Sequence, residues 1–170
     1  MMRRLVLALT GGLVAVTAGT VVLVAPAGGS AASSAVPVLP QAPTGTGDTA
    51  HLDPALLRAV TRAQTEASRS GVELSITSGW RSHADQRTLF EAAVAKYGSE
   101  RAASRWVLPP GRSRHERGLA VDVGPSAGAA WLERHGVKFG LCRRYDNEPW
   151  HFERLAAAKG SACPVREPHA

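Results

Sequence analysis

The 170-residue chain carries 20 Lys and Arg against 14 Asp and Glu, a formal net charge of +6, with 44% hydrophobic and 5% aromatic residues. The apolar share supports a globular core, and the basic excess favours an anionic partner surface. Nucleic acid is not the expected partner, because the basic residues form no stripe interleaved with aromatics.

From the N-terminus, Arg3 and Arg4 precede an apolar run from Leu5 to Val24, followed by Ala25-Pro26-Ala27 and Ser30-Ala31-Ala32. Basic, apolar and small-residue regions in that order are the layout of a secretory signal, expected over 1–32. The run also approaches the roughly 20 residues that span a bilayer, so an uncleaved anchor is the alternative and the only route to membrane association. Residues 33–50 are rich in Ser, Pro, Gly, Thr and Ala. They bury too little to offset ordering entropy and read as a flexible linker. Residues 51–170 remain, enough for one domain and not two. Both cysteines, Cys142 and Cys163, fall there. In an oxidising compartment an even pair is expected to close a disulfide, with two separate thiols as the alternative.

Asp53 before Pro54 reads as an N-cap and first helical position, and Leu56, Val60, Ala63 and Ala67 continue a helical face until Gly71. Val72, Leu74 and Ile76 alternate with polar residues, which predicts a strand. Ser82 with Asp85 reads as a cap for a second helix through Leu89, Phe90, Ala93, Val94 and Tyr97 to Gly98. A short helix over 100–107 ends at Pro109-Pro110-Gly111. Leu119, Val121 and Val123 predict a strand that turns Asp122 away from its apolar neighbours. Ser126 would cap a helix through Trp131 to Gly136, and 137–141 and 150–153 read as two last strands. The expected fold is α+β, a small antiparallel sheet with flanking helices.

Chemistry concentrates in Ser78-Gly79-Trp80-Arg81-Ser82, Ser113-Arg114-His115, Gly118-Leu119-Ala120-Val121-Asp122 and Glu148-Pro149-Trp150-His151. A hydrolytic zinc site needs three protein ligands, an open position, and a nearby carboxylate base. His115, Asp122 and His151 offer the ligands for one ion and Glu148 the base. Taken singly, each has a plain alternative: a solvated loop histidine, a hydrogen-bonded strand aspartate, a surface glutamate. Pro149 argues against a helical His-Glu-x-x-His device. Ser113 lacks the second glycine of a nucleophile elbow, so a serine hydrolase is set aside. Arg81 either forms a salt bridge or holds a substrate carboxylate or an oxyanion.

In combination, Ser-Gly-Trp-Arg-Ser with Gln86 after it, then Ser-x-His-x-x-Gly-x-Ala-x-Asp, then Glu-Pro-Trp-His resembles the VanY-type D-alanyl-D-alanine carboxypeptidases of the M15 zinc metallopeptidases. The resemblance runs from about Leu74 to Glu153. It implies a hedgehog/D,D-peptidase-like zinc domain with His115, Asp122 and His151 on the zinc, Glu148 as the base and Arg81 as a catalytic and substrate-binding residue. It places Ser113 and Gln86 at substrate-lining or supporting positions. Trp80 stands where relatives more often have tyrosine, an aromatic wall without the hydroxyl. The segment before the last motif is shorter than in many relatives. The implied substrate is the stem peptide of peptidoglycan, with loss of the terminal D-alanine leading. L,D-carboxypeptidase, D,D-dipeptidase and endopeptidase activities use the same core. The protein is then expected to be a secreted or wall-associated monomer. A non-catalytic zinc module is the reading from another class, against which Glu148 itself argues.

Overall fold

The computed structural model describes residues 49–155 and 162–170. The signal and nearly all of the linker expected from the sequence lie outside the described residues. The elements in chain order are α1 (Pro54–Arg69), β1 (Ser75–Ser78), α2 (His83–Tyr97), α3 (Glu100–Ala103), β2 (Ala120–Gly124), α4 (Ser126–His135), β3 (Leu141–Arg143) and β4 (His151–Arg154). One four-stranded antiparallel sheet runs in the order β1-β2-β4-β3. The α+β expectation therefore holds.

Capping follows the sequence. The Asp53 carboxylate accepts from the backbone N–H groups of Ala55 and Leu56, both at 2.9 Å, and so satisfies donors that the first helical turn leaves free. The Ser82 hydroxyl accepts from the Asp85 N–H and donates to the Asp85 carboxylate. α4 departs by one residue: Pro125 takes the N-cap position without a side-chain bond, and Ser126 is the first helical residue.

Three other boundaries differ. β1 starts at Ser75, because 70–74 fold back on α1: Val72 N–H bonds Ala67 O, and Gln64 bonds the Leu74 carbonyl. Its partner β2 stops before Pro125, which has no N–H to extend the ladder. The strand expected over 137–141 is instead a 3-10 turn, Gly136–Phe139, closed by Gly140 at a φ of 76°. Phe139 there stacks toward Trp131 of α4. The strand begins only after that left-handed glycine. The helix expected over 100–107 is a single turn, Glu100–Ala103.

Strand alternation divides the sheet. Val121, Val123, Leu141 and Phe152 join Leu56, Val60, Ala63 and Leu132 from α1 and α4 in the main core. Burying each large apolar side chain is worth roughly 1.5–3 kcal/mol, which anchors the strands in register. The opposite face is left to polar groups. Asp122 pairs across the ladder with His151 and with Ser78. Two distant motifs and the first island thus meet in one row.

Candidate metal centre and active site

β2 and β4 carry Asp122 and His151 as direct cross-strand partners, and His115 sits at the start of a 3-10 turn leading into β2. That turn closes at Gly118, with a φ of 66°, where a Cβ would run into the His51 carbonyl oxygen. Gly118 O also accepts from Asp53 N–H at 2.9 Å, fixing the loop to the start of α1. The glycine of the second motif is therefore required both by backbone conformation and by close approach.

His115 Nε2 lies 3.1 Å from His151 Nδ1 and 3.3 Å from Asp122 Oδ1, and His151 Nδ1 lies 3.2 Å from Asp122 Oδ1. The three atoms form a nearly equilateral triangle. Tetrahedral zinc with bonds of about 2.0–2.1 Å separates its nitrogen and oxygen ligands by about 3.3 Å, so the residues fit the ion. Among the described residues, this is the one cluster of three such groups placed to hold a metal. Both histidines are buried, while Asp122 keeps a small exposed fraction.

The three groups are coupled electrostatically. Burial would raise Asp122, but the charges and hydrogen bonds of His115 and His151 outweigh it and hold the carboxyl far below its usual range. Burial would likewise lower His151, yet its hydrogen bonds to Asp122 and Glu153 and the nearby carboxylates raise it to about 10.

Glu148 precedes Pro149 in a turn in which His151 N–H bonds the Glu148 carbonyl at 3.3 Å. Its carboxylate reaches to 3.6 Å from His151 Nδ1, at the edge of the triangle. Burial pushes its pKa up to about 7, with His151 and Arg81 pulling down and Asp122 pushing up.

Arg81 follows β1 and lies along the other side. Its guanidinium donates to Gln86 Oε1 at 2.7 Å and to Ser78 Oγ at 3.2 Å, and stands 3.7 Å from Asp122 Oδ2. Gln86 is 1% exposed, and its amide donates to the Leu108 carbonyl at 2.6 Å. Gln86 thus supports the site by aiming Arg81. Ser113 is buried, its hydroxyl accepting from His115 N–H at 3.3 Å. Trp80 leans on the core, tilts over the His51 ring and donates its indole N–H to the Glu116 carbonyl.

Two neighbours did not emerge from the sequence. Tyr145 places its ring 5.2 Å from that of His151. Burial, with the charges of Glu153, Glu167 and Glu148, pushes its hydroxyl up to about 12. Glu153 lies buried two residues beyond His151. A period-2 reading of β4 would have flagged Glu153, since it must share His151's face.

Cys142 and Cys163 form a disulfide. It brings residues 162–170 against the loop that enters Glu148, where Glu167 exchanges backbone hydrogen bonds with Arg144 and Asp146.

The fold is that of the D,D-peptidases. The chain belongs to the VanY D-alanyl-D-alanine carboxypeptidase family, whose sequence model matches residues 49–156. A D-alanyl-D-alanine carboxypeptidase of Enterococcus faecalis (strain ATCC 700802 / V583) is 32% identical over 111 residues, covering 51% of this chain and 41% of the relative. The chain spans about two fifths of the length of the curated relatives it matches. Among solved structures, a mutant of the vancomycin resistance D,D-pentapeptidase VanY in complex with Zn(II) aligns with a TM-score of 0.60 at 28% identity, over 64% of this chain and 76% of that one. VanYB in complex with D-alanine-D-alanine aligns at 0.59 and 28% identity, over 63% and 74%.

Proposed function

We propose that the protein is a zinc-dependent D,D-carboxypeptidase that removes the terminal D-alanine from peptidoglycan stem peptides. The observation that carries this is the donor triangle of His115, Asp122 and His151 with Glu148 at its edge. Family membership and the zinc and dipeptide complexes of its structural neighbours support it.

His115 Nε2, Asp122 and His151 Nδ1 would hold one zinc ion. When bound, zinc lowers the pKa of water and polarises a carbonyl. Glu148 is the group placed to take the proton of the attacking water. Its burial keeps it basic enough to accept that proton and acidic enough to return it to the leaving amine. Arg81, aimed by Gln86 and Ser78, meets the oxyanion as it develops. Ser113 holds the His115 loop, and Trp80 supplies an apolar wall beside it. A site with a base beside its ligands suits turnover better than binding alone.

Export is part of the same reading. It is supported by the signal-like residues 1–32 and by a disulfide that suits an oxidising compartment. Among the described residues, no helix is long and apolar enough to cross a membrane. Residues 33–50 would act as the spacer.

The test is mass spectrometry of the zinc-loaded protein incubated with pentapeptide and tetrapeptide stems. Loss of one alanine from the pentapeptide alone is expected. Loss from the tetrapeptide would move the assignment to L,D-specificity, and cleavage of free D-alanyl-D-alanine alone, added as a further substrate, would make it a D,D-dipeptidase. Zinc binding with neither peptide cut would overturn the carboxypeptidase reading in favour of an endopeptidase or a binding module.

A further inference from the structure

Glu153 takes no part in the chemistry above, yet it sits 2% exposed on the site's own face of the sheet. Carboxylates are rarely buried this deeply unless both oxygens are engaged. Here Oε1 lies 3.4 Å from His151 Nε2, and Oε2 lies 3.2 Å from Arg114 Nε. Two-residue spacing on β4 puts His151 and Glu153 on one face, and the residues opposite Glu153 are the small Ala120 and Cys142.

The two histidines turn different nitrogens to the triangle, Nε2 of His115 and Nδ1 of His151. A neutral imidazole has one N–H and one lone pair, so whichever partner accepts the N–H decides which nitrogen is left for a metal. For His115 that partner is the Gly79 carbonyl, 2.7 Å from Nδ1. For His151 the group facing Nε2 is Glu153. The opposite tautomer would aim a proton into the triangle and set the Nε2 lone pair against the carboxylate.

We propose that Glu153, held by Arg114, is the positioning residue that accepts the Nε2–H of His151 and so presents Nδ1 as a metal ligand. This rests on the reading of the triangle as a zinc site. Outer partners of this kind typically contribute 10–100-fold in metal affinity.

The experiment is chelator-competition titration of zinc into the full chain for wild type, Glu153→Ala and Glu153→Gln. Thermal unfolding of each metal-free form accompanies it, with long-range ¹H–¹⁵N spectra of the imidazoles in zinc-loaded wild type. Glu153→Ala should weaken zinc about 10–100-fold, and Glu153→Gln, which keeps an acceptor oxygen, by less. The spectra should show His151 protonated at Nε2 and metal-bound at Nδ1. Unchanged affinity in a folded Glu153→Ala protein, or metal on Nε2, would overturn the proposal. If Glu153→Ala does not fold, the glutamine variant and the wild-type spectrum decide. A wild type that takes up no zinc overturns the zinc reading itself.

Discussion

Removing the disulfide with the double substitution Cys142→Ala/Cys163→Ala should both destabilise the fold and free its C-terminal segment. The bridged residues are separated by 21 positions. On chain entropy, closing a loop of that size contributes about 3 kcal/mol. For a folded region of this size, 1 kcal/mol moves the midpoint by about 4 °C, so the loss should be about 12 °C. What would still hold 162–170 is the pair of backbone hydrogen bonds of Glu167 with Arg144 and Asp146, with ion pairs of Arg144 to Glu167 and of Arg166 to Glu133 and Asp146. Such contacts at the surface are weak, against about 1–2 kcal/mol per residue for ordering backbone. The segment should therefore release. Differential scanning calorimetry, with hydrogen exchange of the backbone amides of Asp146 and Glu167, reads both effects. Because Arg144 to Asn147 lead into Glu148, turnover should fall while zinc affinity stays within a few-fold. An unchanged midpoint with both amides still protected would refute the argument that the bridge, and not the ion pairs, secures this segment.

Arg81→Ala should retain zinc and lose about 10²–10³ in kcat, the effect of removing one oxyanion donor, about 3–4 kcal/mol. Gln86→Leu, which leaves Arg81 in place but unaimed, should show a smaller loss in the same direction; an effect on zinc content instead would place Gln86 with the ligands. With metal stripped, His151, raised to about 10, contributes stability that is complete below its unfolded value of about 6.5 and lost as pH rises through 10. Asp122, held low, contributes stability present above its unfolded value of about 3.9 and lost as pH falls. Glu148, raised to about 7, adds stability that is complete below its unfolded value of about 4.3 and lost as pH rises through 7. The metal-free midpoint should therefore be highest near about pH 4 and fall toward pH 10, and a midpoint that climbs from pH 7 to 10 would contradict the assignment.

Much of this was legible in the residues. Asp53-Pro54 and Ser82 with Asp85 mark helix starts because caps act locally, through one side chain and the next turn. The alternation around Asp122 tells which way its carboxylate points, since a strand leaves no other choice. What stayed hidden depends on partners distant in sequence. Val137 to Phe139 alternate like a strand, but packing against α4 and the left-handed Gly140 decide otherwise. The spacing of His115, Asp122 and His151 says nothing of a triangle about 3.2 Å on a side; only the register of β2 against β4 creates it. Glu153 shares a face with His151 by period-2 spacing within β4, but its approach to Nε2 and its pairing with Arg114 show only in the folded chain.

On the proposed function, His115, Asp122 and His151 hold the metal and Glu148 moves the proton. Zinc content and stem-peptide turnover, measured side by side on wild type and Glu148→Ala, test it most directly. One zinc in each protein and alanine release from the wild type alone are expected. Turnover persisting in Glu148→Ala, or a wild type that turns over with no metal bound, would contradict it.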